Sequence, residues 1–253
     1  MSISNDLARQ GQFLFRWRSF LPLLLLLPAS IAFTDNAEII NRYGDAATEI
    51  WGFIGMLVSL IGLLTRWITA GYVPAGTSGR NTTEQRAFQL NTTGMYSITR
   101  NPLYLGNFFI ILGVIVSIKV WWLVAIFILA YWLYIERIIA AEEKFLTESF
   151  GDTYTEWAMR TPSFWPDFKK WNAPALPFSF KTVLRREYNG LFGVGAAFFL
   201  TEVITDILIN GEDIRVWLIE DHWWVTGFVV TGLIFVILRT VKKHTKMLRV
   251  SGR

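Results

Sequence analysis

The chain predicts an all-α fold: a polytopic membrane helical bundle of about six transmembrane helices, with a cytoplasmic helical extension and an interfacial aromatic segment. Three observations carry that expectation. The 253 residues are 53% hydrophobic and only 17% charged, against about 25% charged in soluble domains, and the mean hydropathy is +0.37. Six apolar segments stand out, at 20–33, 50–70, 103–118, 120–139, 191–209 and 223–238. Threading them through a bilayer leaves every Lys and Arg but Arg42, Lys119 and Arg215 on one side. That is the positive-inside pattern, with both termini cytoplasmic. The opposite loops are acidic, with Asp35, Glu38, Asp45 and Glu49 in one and Glu212, Asp213, Glu220 and Asp221 in the other.

Each element has its own warrant. The first segment, with a basic arm before it, also suits a signal peptide, but Pro22 and Pro28 punctuate it and the arm is long. The first and third segments are short for a bilayer. Gly52 and Gly55, and the Gly190, Gly193 and Gly195 run, lie inside apolar spans, so they predict close helix packing rather than a nucleotide loop. Residues 71–101 read as a Gly/Thr/Asn-rich cytoplasmic loop, in which Asn81-Thr82-Thr83 predicts a turn. Residues 103–139 read as a tight hairpin turning at Lys119. Good helix formers from Ala140 to Phe150 extend the fourth span into the cytoplasm, and Gly151 stops it. Beyond it, Pro162, Pro166, Pro174 and Pro177 favour extended or turning chain. Trp157, Phe164, Trp165, Phe168 and Trp171 place that stretch on the membrane interface. The organisation expected is 1–93 for the N-terminal spans and loop, 94–170 for a functional hairpin, and 171–253 for a linker and a C-terminal helix pair.

Composition also narrows function. The pI is near 9.4, but the basic residues follow topology and lipid headgroups rather than a nucleic-acid surface. There is no cysteine and there are only two histidines, His222 and His244, so disulfides and thiolate sites are excluded, and no metal is expected.

The candidate site begins at Tyr96-Ser-Ile-Thr-Arg-Asn-Pro-Leu-Tyr104 and is answered by Glu142-Glu143. An antiparallel hairpin brings Arg100 and Asn101, at the start of one span, to Glu142 and Glu143, at the end of the next. A guanidinium binds carboxylate in bidentate fashion, and a Glu accepts from an amine or ribose hydroxyls. Pro102 at the first helical turn leaves nearby N–H groups free. Such a set, with Tyr104, suits a zwitterionic amino acid joined to a nucleoside. An ordinary interfacial Arg–Glu pair is the alternative.

From Gly94 to Pro166 the chain resembles the isoprenylcysteine carboxyl methyltransferase and phospholipid methyltransferase superfamily. That family shows Gly-x-Tyr, Arg-His-Pro-x-Tyr, a hydrophobic hairpin, Glu-Glu, Phe-Gly-x-x-Tyr and Arg-x-Pro. The matching residues here are Gly94, Tyr96, Arg100, Asn101, Pro102, Tyr104, Glu142, Glu143, Phe150, Gly151, Tyr154, Arg160 and Pro162. The resemblance implies an integral membrane enzyme using S-adenosyl-L-methionine. The cofactor would come from the cytoplasm, and a lipidic or prenylated acceptor from the bilayer. It implies a cofactor set of Tyr96, Arg100, Asn101, Pro102, Tyr104, Glu142, Glu143 and Tyr154, and catalytic roles for Arg100, Asn101 and Arg160. The family histidine is Asn101 here, which keeps a donor and an acceptor but cannot titrate near neutral pH. That tilts the expectation toward an anionic oxygen acceptor, a carboxylate or lipid phosphate, over a phospholipid amine. A scaffold or transporter subunit that has lost the cofactor is the remaining reading. The location expected is a bacterial inner membrane with a cytoplasmic site, and a homo-oligomer is compatible with it.

Overall fold

A computed structural model gives the structure. It describes residues 3–18, 20–43, 45–74 and 89–253, with side chains throughout except at 3, 4, 22 and 37–48. The turn expected at Asn81-Thr82-Thr83 and the basic residues Arg80 and Arg86 lie outside the described residues.

The described residues form helices without strands. In order they are α1 (Ile3–Trp17), a 3-10 turn (Leu21–Leu25), α2 (Leu26–Tyr43), α3 (Asp45–Tyr72), α4 (Met95–Ile98), α5 (Pro102–Ser117) and α6 (Trp121–Phe150). There follow α7 (Asp152–Arg160), a 3-10 turn (Phe168–Lys170), α8 (Phe180–Glu202), a π-helical stretch (Val203–Ile209), α9 (Ile214–Glu220) and α10 (His222–His244). Four helical stretches are long and apolar enough to cross a membrane, at Glu49–Tyr72, Trp121–Phe150, Phe180–Ile209 and His222–His244. The apolar helices Leu23–Asn36 and Pro102–Ser117 are shorter. The chain is a helical membrane bundle, and its six apolar segments coincide with those expected.

The tightest packing joins α3 to α5. A Cβ on Gly62 would lie 2.5 Å from the Gly106 carbonyl oxygen, and one on Gly55 would lie 2.5 Å from that of Gly113. The two contacts sit seven residues apart on each helix and run in opposite directions, so the helices are antiparallel. Only residues without a side chain permit backbones this close. Between the two glycine contacts, the Ser59 hydroxyl donates to the Ile110 carbonyl at 2.8 Å. Gly55 thus packs as expected, and so does Gly195, whose Cβ would meet Thr231. Gly193 has open space around it and needs another reason.

The hairpin of α5 and α6 turns at Lys119, which adopts φ 70°. Phe108, Phe127 and Tyr131 fill its interior. α6 runs unbroken to Phe150, and Gly151 at φ 55° ends it, because only glycine takes that left-handed turn without strain.

Three features depart from expectation. The N-terminal arm is a helix, α1, laid against the C-terminal half of α6, where Gly11 meets the Arg137 carbonyl and Ala141. Arg137 Nε donates to Gln10 Oε1 at 2.7 Å. The chain after Gly151 forms the short helix α7 before the prolines take effect. Phe164, expected on the interface with its aromatic neighbours, is instead 5% exposed and packs edge-on against Phe108 and Trp132. Trp165, Phe168 and Trp171 remain exposed.

Candidate active site

Two stretches of irregular chain run side by side and hold the site. Residues 94–101 precede α5, and residues 161–172 follow α7. The Gly94 amide donates to Asn172 O, Asp167 N to Ile98 O, and Arg100 N to Pro162 O, at 2.9, 2.9 and 2.8 Å. The Thr99 hydroxyl donates to Phe164 O at 2.8 Å, and Asn172 N to the Ser97 hydroxyl at 2.9 Å. Backbone groups outside helices must find partners somewhere. Here they find each other, and the loop becomes a fixed platform under the N-terminal end of α5 and the C-terminal end of α6.

On that platform Arg100 meets Glu143, with Nη2 2.8 Å from Oε1. Its Nη1 donates to the Ala158 carbonyl on α7 at 2.8 Å. Arg100 Nε is buried without a hydrogen-bond partner, and so is Trp157 Nε1 close by in the chain. The Ser163 hydroxyl reaches the same Glu143 oxygen at 3.5 Å. Tyr104 donates its phenol to Glu142 Oε1 at 2.7 Å, and Tyr131 donates to the Tyr104 carbonyl at 2.6 Å.

Asn101 precedes Pro102 as the N-cap of α5 but makes no side-chain cap. Its amide Nδ2 donates instead to the Ser163 carbonyl at 2.9 Å. The residue in the family's histidine position thus ties α5 to the loop beyond α7.

Tyr154 is 3% exposed and stacks edge-on with Trp157. Its phenol is pushed up, first by burial and then by the Glu143 charge, with Arg100 opposing. Tyr96 is likewise raised, by burial and then by Glu142, with Arg186 and Arg66 opposing. Both phenols remain protonated donors through the neutral range. Arg160 stands apart. It is exposed at the end of α7, where its carbonyl receives Lys170 Nζ at 2.8 Å, and no described side-chain contact draws it into the cluster.

The sequence reasoning missed a second charged pair at this end. Arg66 on α3 grips Glu187 on α8 in bidentate fashion, with Nε to Oε2 at 2.7 Å and Nη2 to Oε1 at 3.0 Å. Its Nη1 donates to Asn107 Oδ1 on α5 at 2.7 Å. The Glu187 side chain is only 5% exposed. The available signal was a lone acid at the basic start of a span, together with an Asn inside an apolar run. Arg18 was also passed over. It lies 4.1 Å above the Phe15 ring and is close enough for its charge to act on Glu142 and Tyr104.

The family model described as phospholipid methyltransferase matches residues 50–153. Among curated relatives, the nickel-cobalt-cadmium resistance protein NccN of Alcaligenes xylosoxydans xylosoxydans is 32% identical over 150 residues, covering 59% of this chain and 62% of that protein. The cobalt-zinc-cadmium resistance protein CzcN of Cupriavidus metallidurans is 38% identical over 77 residues, 30% of this chain and 35% of that one. The protein-S-isoprenylcysteine O-methyltransferase of Saccharomyces cerevisiae is 32% identical over 114 residues, 44% of this chain and 47% of the yeast protein. The chain thus spans less than two thirds of the length of these relatives. No solved structure matches. The matched region folds into one membrane-helix core in which its Arg-Asn-Pro-x-Tyr and Glu-Glu elements meet, and over that region the chain is similar to the phospholipid methyltransferase family and to isoprenylcysteine O-methyltransferases.

Proposed function

We propose that this protein is an integral membrane methyltransferase that uses S-adenosyl-L-methionine on a lipidic acceptor bearing an anionic oxygen, a carboxylate or a phosphate. The carrying observation is the convergence of Arg100, Tyr104, Glu142, Glu143 and Tyr154 on one platform, with the buried N–H groups of Arg100 Nε and Trp157 Nε1 still lacking acceptors. Buried donors without partners are costly, and a ligand carrying carboxylate and nitrogen acceptors relieves that cost. The donor set fits the cofactor in kind: guanidinium and indole N–H groups for its acceptors, and two carboxylates for its amine and ribose hydroxyls.

When bound, S-adenosylmethionine supplies an electrophilic methyl group on a sulfonium. The chain's own residues then hold and exclude. Arg100 fixes Glu143, and Tyr104 fixes Glu142, so neither carboxylate is left to swing. Pro102 and Tyr96 line the start of α5, and the platform beneath keeps water from the reacting groups. Asn101 is occupied with Ser163 and works by position. An anionic oxygen is already a nucleophile, so no general base is required, which agrees with the missing histidine. Arg160, exposed at the end of α7, would meet an anionic acceptor rather than the cofactor. The basic end faces the cytoplasm of a bacterial inner membrane in this reading.

Calorimetric titration of the detergent-solubilised protein with S-adenosylhomocysteine tests the reading. Saturable binding is expected, weakened at least about tenfold in Glu142→Gln, as for loss of one charge-assisted contact. Absence of binding by folded protein overturns it.

A second reading rests on the two relatives named for metal resistance. In it, methyl transfer to an envelope lipid serves tolerance to such metals. Cells carrying Glu142→Gln would then lose tolerance together with lipid methylation.

A further inference from the structure

α8 and α10 form a helix pair outside the region that the family model matches. Side-chain contacts give its register. Phe199 stacks on Phe228, a Cβ on Gly195 would meet Thr231, and Phe192 and Tyr188 both meet Phe235. The two helices are therefore antiparallel, and the start of α8 comes level with the end of α10. Basic residues gather there. Lys242 Nζ donates to the Arg185 carbonyl at 3.1 Å and lies 5.1 Å from the centre of the Tyr188 ring. Arg239 lies 5.6 Å from the centre of the Phe235 ring, and the Tyr188 and Phe235 rings are themselves 5.6 Å apart. Two cations from α10 thus stand over one aromatic pair that floors the groove between the helices. Lys181 and Arg185 are four residues apart on α8 and share a face. Lys181, Arg239 and Lys242 are exposed, and Arg185 is half-buried.

Neither 168–186 nor 222–253 contains an Asp or a Glu, so both stretches are purely basic. Glu187, next in the chain, is committed to Arg66. The rest of α10 is of another character. It buries no residue, and Val229, Val230, Leu233, Val236 and Ile237 are exposed. From Val229 to Ile237 the helix rises about 12 Å, most of the roughly 15 Å depth of one leaflet. Concentrated positive charge at the head of an apolar flank fits one kind of molecule, an amphiphile with an anionic head and long acyl chains. A soluble anion matches the head alone. The positive-inside bias explains basic residues spread over a whole face, but not cations gathered on two rings in one groove between helices.

We propose that the groove between the start of α8 and the end of α10 holds one anionic diacyl phospholipid, with its phosphate among Lys181, Arg185, Arg239 and Lys242 and its acyl chains along the exposed flank of α10. Arginine grips phosphate through two parallel N–H groups, and lysine adds a point charge. The lipid ties the two helices together at the level where the Lys242–Arg185 hydrogen bond already joins them. α8 also carries Glu187, the partner of Arg66, so the lipid steadies the helix on which that pair depends. The inference stands on this groove alone and is independent of methyl transfer.

The full-length protein is stripped of lipid in a neutral detergent. Native mass spectrometry and thermal unfolding then follow the addition of phosphatidylglycerol, phosphatidylcholine or inorganic phosphate. Wild type is compared with Arg239→Gln/Lys242→Gln and with Arg16→Gln/Lys169→Gln, which removes two exposed cations from other elements. Each protein is first shown to melt cooperatively without lipid. Lys181→Gln/Arg239→Gln takes the place of the groove variant if loss of the Lys242 hydrogen bond prevents folding. The expected result is one phosphatidylglycerol retained per chain, with apparent affinity lowered at least about tenfold in the groove variant and less than about twofold in the other. Failure of wild type to retain phosphatidylglycerol, or equal retention of phosphatidylcholine, overturns the inference. So does equal weakening in both variants, which would mean diffuse surface charge, and so does equal stabilisation by inorganic phosphate, which would mean an ion site without a lipid.

Discussion

The two ends of this bundle handle charge in opposite ways. At the basic end each key carboxylate has a made-to-measure partner: Glu143 with Arg100, Glu142 with Tyr104, and Glu187 with Arg66. At the acidic end Asp206, Glu212 and Asp221 crowd one another, with Glu202 buried close behind. Paired charges fix side chains in one geometry and so preorganise a site for a polar ligand. Like charges held close together make ionisation of each more costly. The same residue types therefore form matched pairs at one end and an acidic cluster at the other.

Three measurements break or sharpen that contrast. The largest effect is expected at the matched end. Arg66→Ala leaves Glu187 buried and unpaired, so it should lower the unfolding free energy in mixed micelles by about 3–5 kcal/mol. A loss under about 1 kcal/mol would mean that the pair contributes nothing beyond a surface salt bridge. At the crowded end the sign should reverse. Asp221→Asn removes one of the repelling charges and should leave stability unchanged or raise it by a few tenths of a kcal/mol. A clear loss would show that Asp221 is structurally paired. The smallest effect concerns pH. The Tyr154 phenol is raised above its ordinary value of 10.0 by burial and by Glu143. Its contribution to stability is therefore complete below that value and is lost only as the pH climbs beyond it. Tyrosinate absorbance should show Tyr154 titrating after the exposed tyrosines, and Tyr154→Phe should blunt alkaline unfolding. Ionisation along with the exposed groups would contradict its burial.

Much of this was legible in the chain because the membrane simplifies the code. Apolar length, Gly151 as a stop and Lys119 as a turn each follow from one local rule, and each holds in the structure. The Arg100–Glu143 pairing was legible too, since a short hairpin leaves its two ends nowhere else to go. Other features depended on distant partners. Glu187 gains its meaning from Arg66, which is 121 positions away in the chain. Asn101 looked like a ligand to the cofactor, yet its amide is committed to Ser163, a backbone acceptor that no motif announces. Phe164 looked interfacial among its aromatic neighbours, but the hydrogen bonds that tie 98–100 to 162–167 and the packing of its ring against Phe108 and Trp132 turn it inward. α1 escaped notice because its residues read only as a basic arm, while its fit to α6 includes the close approach of Gly11 to the Arg137 carbonyl.

The glycine contacts between α3 and α5 act as a vernier. Gly55 with Gly113, and Gly62 with Gly106, engage at one setting only. A slip of one helical turn, about 5.4 Å, would drive side chains into backbone at both points. The height of Arg100 relative to Arg66 and Glu187 is therefore set inside the bilayer, not by the chain that joins Tyr72 to Gly94.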